Sequence, residues 1–347
     1  MRSIVNVADY LHGYSRPLAE QPTSRIPEEL HARYPQDTST AALVPAGVRL
    51  ALTGTARELR VRYSRGEPNE LASPDAVDAF CVWCGESPVA QIELPEVSSR
   101  REEEIVLALP ERDPAAIVTI YLPERAGIRV ISLSAHRGEA VPVPRGPRWI
   151  AYGDSITQGW TVADPGLAWG SRVARRTGLD LVNLAFAGAA RGETIAAMQV
   201  ADSAPDIVTL AWGTNAWSMI PTDRGLVREQ MRVFISMIRR VNPAVPVIVL
   251  SPVLRPAAEN VENRLGATLA DIRESIEASV DSLMSGDPAL RLIRGAGVVP
   301  EDELVDGVHP GSAGHERIAR EFEKALNSLP ATAAAERLGW KDGDRNV

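Results

Sequence analysis

Cysteine is almost missing from this sequence: Cys81 and Cys84, three apart in VDAFCVWCGE, are the only two in 347 residues. A CxxC redox pair opens a helix, and a zinc site needs further Cys or His ligands nearby. This pair lies in a β-like run, where residues three apart face opposite sides, so both are read as plain structural cysteines. A surplus of basic residues is missing too. Lys and Arg number 37 against 45 Asp and Glu, a net charge of -8, so neither nucleic acid nor an anionic membrane surface is an expected partner. No apolar run approaches transmembrane length, and the opening MRSIVNVADYLHGYSRP lacks the apolar core of a signal peptide. The expectation is a cytoplasmic protein of undefined oligomeric state. No internal repeat is visible.

What is present falls into two textures, and the length suits two domains. Residues 47–134 hold short alternating or β-rich runs, VRLALTG, RELRVRYS, VDAFCVWC, SPVAQIEL, EEIVLALP, AIVTIYLP and IRVISLSAH, divided by turn residues. That pattern predicts an antiparallel β-sandwich over 1–146, with the less regular first 40 residues wrapped around it. The Pro- and Gly-rich RGEAVPVPRGPRW, 137–149, reads as the linker. Beyond it, buried strands at WIAYG, LVNLAF, DIVTLAW, VPVIVLSP and LRLIRG alternate with helical stretches near 168–177, 193–202, 224–241, 266–284 and 312–328. This predicts a second, α/β domain over 147–330, a parallel sheet covered on both faces, and residues 331–347 as a loose tail.

In such a sheet the ligand site lies beyond the carboxyl ends of the strands, and polar segments cluster on that edge. GDSIT places Ser155 after the first strand, NLAFAGAARGET places Gly188 after the second, and GTN places Asn215 after the third. A fourth segment, DGVHPGSAGH, carries Asp306 and His309 into the last helix. The residue types suit acyl transfer. A serine hydroxyl needs a base to accept its proton, and His309 is the candidate. Asp306 is the candidate to hold the imidazole's tautomer and stabilise the imidazolium. The backbone N–H groups of Ser155 and Gly188 and the Asn215 amide are candidate donors to an oxyanion. Glycine at 188 permits an unusual φ and a close backbone approach.

These four blocks, in this order, resemble those of the SGNH, or GDSL-type, serine hydrolases, over about residues 148–328. The resemblance implies a three-layer flavodoxin-like α/β fold and ester-directed chemistry without metal or cofactor. The Asp306-to-His309 spacing matches the family's D-x-x-H. One departure is Ala216, where many members carry an aspartate after the asparagine, which weakens any carry-over from lysophospholipase-like members. The β-rich front half resembles the N-terminal sandwich of two-domain bacterial members, which include carbohydrate esterases and polyketide-tailoring acyltransferases. A small-molecule ester or acyl donor is therefore the expected partner, with a glycoside or polyketide as possible acceptor.

Each motif alone is weak, since GDS could be a turn with Ser155 as a helix cap. The four together favour catalysis. Asp154 is assigned to the turn rather than to the triad. His315, on the apolar stripe of the last helix, reads as a packing residue, and His12, His31 and His136 as surface or packing residues. Trp149 and Trp212 lie inside strands and read as core, whereas Trp160 and Trp217 are candidate walls of a substrate pocket. Residues 255–268 read equally as a lid or a plain solvent loop. Functionally, a carboxylester hydrolase leads. An acyltransferase using the same acyl-enzyme, with an alcohol or sugar acceptor, is the alternative. A non-catalytic carbohydrate-binding protein is the second alternative.

Overall fold

The computed structural model describes residues 2–4, 6–14, 24–66, 69, 71–73, 75–95 and 102–329. The tail expected over 331–347 lies outside these residues. The N-terminal half contains β1 (Arg2–Ile4), β2 (Leu11–His12), the short helices α1 (Glu28–His31) and α2 (Gln36–Ala41), β3 (Arg49–Gly54), β4 (Glu58–Ser64), β5 (Ala79–Cys84), β6 (Ser87–Glu93), β7 (Glu103–Ala108), β8 (Val118–Tyr121), β9 (Arg129–His136) and β10 (Ala140–Pro142). They form two antiparallel sheets, one in the order β1-β9-β4-β7 and one in the order β10-β3-β8-β5-β6, with β2 also paired to β3. Alternation sets which face is buried. Along β4, Leu59, Val61 and Tyr63 are buried while the arginines between them reach outward, and they pack against Leu50, Leu52, Phe80 and Val82 of the second sheet. The result is a β-sandwich. Cys81 is buried in β5 and Cys84 half-buried at its end, and both are free thiols.

The C-terminal half alternates β11 (Arg148–Gly153), the single turn α3 (Ser155–Gln158), α4 (Trp169–Thr177), β12 (Asp180–Ala185), α5 (Thr194–Asp202), β13 (Ile207–Ala211), α6 (Arg224–Val241), β14 (Val247–Leu250), α7 (Leu269–Met284), β15 (Leu290–Ile293) and α8 (Ser312–Asn327). All five strands are parallel, in the order β12-β11-β13-β14-β15, which is the flavodoxin-like order. Successive residues of β11 serve opposite faces. Trp149 and Ala151 pack with α4 and α8, whereas Ile150 and Tyr152 pack with α5, α6 and α7. Trp149 stacks on Phe322 at 4.7 Å and donates its indole N–H to Thr209 Oγ1 at 2.8 Å. Trp212 is buried as well. No helix among the described residues is long and apolar enough to cross a membrane.

Two expectations need correction. Residues 24–44 do not wrap the sandwich. Ile26, Tyr34, Ala41 and Ala42 join the core of the α/β half, where the Tyr34 hydroxyl donates to Gln199 at 2.7 Å. Buried Arg25 donates to the carbonyls of Asn183 and Ala185 on β12 at 2.8 and 2.6 Å. The segment thereby covers the sheet edge that β12 would otherwise expose. The expected linker 137–149 is not a free spacer either. Its residues Ala140–Pro142 form β10 against β3, because an extended Ala-Val-Pro at a sheet edge needs no donor from the proline.

The halves are joined by charge as well as by packing. Asp180, at the start of β12, receives Arg49 of β3 at 2.9 Å, Arg145 at 3.1 Å and His12 Nδ1 at 3.2 Å. Burial opposes its ionisation, but these partners hold its carboxyl well below the usual range. His12 is thus buried at this junction rather than on the surface. Nearby, the Trp83 indole of β5 donates to Asp164 at 3.0 Å, and the Arg175 guanidinium of α4 lies 4.0 Å from the same ring system.

Candidate active site

β11 ends at Gly153, and Asp154 caps the short turn that begins with Ser155. Asp154 Oδ1 accepts the N–H of Ile156 at 3.1 Å. Burial pushes its pKa up to about 6, opposed by N–H groups of Ile156, Thr214 and Gly213. The Asp154 backbone N–H, donating to the Ala211 carbonyl at 3.2 Å, ties the turn after β11 to the end of β13. A side chain at Gly153 would meet the carbonyl of Ala211 at 2.5 Å, so glycine is what lets β11 and β13 end side by side. Gly188, in the turn after β12, has φ +70 with open space where a Cβ would stand. Its glycine answers a backbone requirement rather than a steric one. Gly213, at φ +137, turns the chain so that Asn215 follows β13.

The last block is a tight loop closed by the Val305 N–H to His309 carbonyl bond at 2.9 Å and a bridge between Leu304 and Pro310. Asp306 Oδ1 accepts the N–H groups of Val308 and His309 at 3.0 and 2.8 Å, an Asx-type turn. Thr161, just past α3, donates to the Pro310 carbonyl at 2.9 Å and pins this loop to the first block.

Against that frame the side chains form a continuous chain. Ser155 Oγ lies 2.8 Å from His309 Nε2, and His309 Nδ1 lies 2.7 Å from Asp306 Oδ2. Burial works against the Asp306 charge, yet its bonds from the His309 ring and backbone bring the carboxyl net below its ordinary range. Ser155, Gly188, Asn215 and His309 all line one cleft of about 280 Å³. The Asn215 amide nitrogen is buried there with no hydrogen-bond partner among the described residues. A buried donor left free is costly unless a ligand receives it. Chemically, a hydroxyl bonded to an oriented imidazole, beside unengaged donors, suits attack on a carbonyl carbon.

Trp160 lines the cleft with its ring 5.9 Å from that of His309. Trp217 does not line it. Its indole N–H donates to the Val261 carbonyl at 2.6 Å, and its ring carries the Arg255 guanidinium at 4.8 Å. Residues 255–268, read equally as an overhanging lid or a solvent loop, share both traits: Arg255 lines the cleft while Val261 and Leu265 are exposed. The Asn263 amide anchors the loop to the carbonyls of Ala216 and Thr222 at 3.1 and 3.0 Å. His315 is fully buried, accepts the Trp169 N–H at 3.3 Å, and is held by burial near about 3, hence uncharged. Sequence reasoning missed Leu71, a cleft residue from the N-terminal half, which the Gln158 amide meets at its carbonyl. No pattern marks a lone loop leucine.

Residues 151–317 match the model of the GDSL-like Lipase/Acylhydrolase family. This stretch, most of the C-terminal half, is similar to that family's domain. No curated protein sequence matches the chain. Among solved structures, the GDSL-like domain and its sandwich together are similar to the salicylyl-acyltransferase SsfX3 from a tetracycline biosynthetic pathway, at 24% identity and a TM-score of 0.79, covering 94% of this chain and 97% of that one. A protein of Bacteroides ovatus described as a GDSL-like lipase is 19% identical, with a TM-score of 0.73 and coverage of 92% and 95%. A family two carbohydrate esterase from Clostridium thermocellum is 16% identical, with a TM-score of 0.59 and coverage of 85% and 92%. At these identities the likeness is one of fold, and the shared fold includes the sandwich in front of the GDSL-like domain.

Proposed function

We propose that the protein is a serine-dependent carboxylester hydrolase acting through an acyl-enzyme on Ser155. The observation that carries this reading is the chain Ser155–His309–Asp306, linked at 2.8 and 2.7 Å and opening into the cleft. His309 Nε2 takes the hydroxyl proton as Ser155 Oγ bonds to the acyl carbon. The carbonyl oxygen becomes an oxyanion received by the N–H groups of Ser155 and Gly188 and by the Asn215 amide. His309 returns the proton to the leaving alkoxide, which departs as the alcohol. Water then repeats the sequence, releasing the acid and restoring Ser155. Asp306 holds His309 Nδ1 protonated, so that Nε2 presents its lone pair to the serine.

Asn215→Ala tests the oxyanion assignment. Its amide nitrogen has no hydrogen-bond partner among the described residues, so kcat should fall roughly 10²–10³-fold with little change in KM. A pure KM effect would make Asn215 a substrate-binding residue instead.

Acyl transfer is the second reading, favoured by one observation. Leu71 brings the N-terminal half to the cleft that Ser155 opens into, so an acceptor seated there would touch both halves. Product partitioning separates the two readings. With an ester donor and a graded alcohol or sugar acceptor, a hydrolase yields acid throughout, whereas a transferase gives an ester product that saturates with acceptor. Failure to turn over any ester would defeat both.

A further inference from the structure

The cleft is walled mainly by apolar side chains, Leu71, Trp160, Met219 and Val308 among them, and one permanently charged group lines it: Arg255. This arginine is held firmly without being neutralised. Its Nη1 donates to Ser218 Oγ at 3.1 Å, and its guanidinium lies on Trp217, itself fixed by Val261. Its Nε is buried and has no hydrogen-bond partner among the described residues. Glu259, four residues on, accepts the Arg255 backbone N–H at 3.0 Å rather than its guanidinium. The Glu259 oxygens also take Arg273 Nη2 and Nη1 at 2.7 and 2.8 Å. No carboxylate lies within ion-pair distance of the Arg255 guanidinium among the described residues. Asp306 acts on it only from a distance, and it is committed to His309.

A guanidinium presents five N–H donors in a planar fork suited to carboxylate and phosphate oxygens. Held rigid on an aromatic ring, it loses little freedom when such an anion arrives, and the apolar surround strengthens the attraction. We propose that Arg255 is a specificity residue that receives an anionic group, a carboxylate or phosphate, carried by the ester substrate within a few bonds of the reacting carbonyl. This rests on the ester reading above and deepens it. The anion belongs either to the acyl half or to the alcohol half, and the test has an arm for each.

The acyl arm compares 4-nitrophenyl hemiglutarate with the corresponding neutral carboxamide. The alcohol arm compares 4-acetoxybenzoate with 4-acetoxybenzamide. Wild type should favour the anionic member of one pair by roughly 10–100-fold in kcat/KM, the size of one hydrogen-bonded charge contact. Arg255→Met should erase that ratio, chiefly through KM, and Arg255→Lys should restore part of it, keeping the charge but not the fork. A merely structural arginine would lower both members of a pair alike and leave the ratio unmoved. Equal rates within both wild-type pairs, or a preference that survives in Arg255→Met, would overturn the proposal. If no ester in either pair were turned over, the ester reading would fall separately. The anion site would then be judged by calorimetry with glutarate and 4-hydroxybenzoate against their neutral amides. Binding of an anion by wild type and its loss in Arg255→Met would sustain the site, and equal binding of anion and amide would end it.

Discussion

Ser155→Ala should reduce ester turnover roughly 10⁴–10⁶-fold while leaving thermal melting unchanged. The two halves of that expectation have separate physical grounds. The Ser155 hydroxyl is bonded to His309 Nε2, so the substitution removes the nucleophile and little else. The turn that presents it is capped by Asp154, whose side chain accepts the Ile156 N–H, so the cap survives. Replacing hydroxyl by hydrogen at a site only 6% exposed leaves a gap smaller than a methyl group. A fluorophosphonate should label wild type at Ser155 and leave the variant unlabelled. A variant that keeps its activity, or labelling at another residue, would refute the assignment.

Asp306→Asn should lower kcat/KM by roughly 10³–10⁴-fold across the pH range, with the fold intact. Asparagine's carbonyl oxygen can still accept the N–H groups of Val308 and His309 that Asp306 Oδ1 now accepts. The change falls on the other atom. Where Asp306 Oδ2 accepts from His309 Nδ1, the amide would present N–H donors, favouring the tautomer that carries the proton on Nε2. A protonated Nε2 cannot take the serine's proton. The carboxylate's support for the imidazolium is lost as well. Because Asp306 lies net below the usual carboxylate range, wild type should keep this contact on mild acidification. An Asp306→Asn enzyme within tenfold of wild type would mean that the carboxylate neither orients nor charges the histidine.

Architecture was legible wherever side-chain periodicity and chain punctuation agree. The helix 224–241 and the strand IVTLA at 207–211 carry unbroken burial patterns. GDSIT and GTN sit where a strand's end must turn, whereas DGVHP lies well past β15 and enters the last helix, so only the first two follow from the parallel sheet alone. Less legible was whatever depends on a partner far away in sequence. Residues 24–44 lack a period of their own, and their place is fixed by Arg25 meeting carbonyls about 160 residues later. Residues 140–142 are Pro-flanked and read as spacer, yet they pair with β3, whose position sequence alone does not reveal. At the site, Trp217 drew attention as an aromatic after a motif, but its ring is a platform for Arg255 rather than a wall. Arg255 itself was one charge in a loop. That it lacks a counter-ion becomes visible only once Glu259 is seen bound to Arg273.

The central claim is that acyl groups pass through Ser155, and the mass of the protein during turnover tests it most directly. Wild type mixed with an activated ester, quenched in acid within one turnover and digested, should show the acyl mass on the peptide containing GDSIT. Ser155→Ala should never acquire it. Rapid ester turnover with no acyl mass on Ser155 at any quench time, or an adduct on another residue that forms and decays at the catalytic rate, would contradict the account.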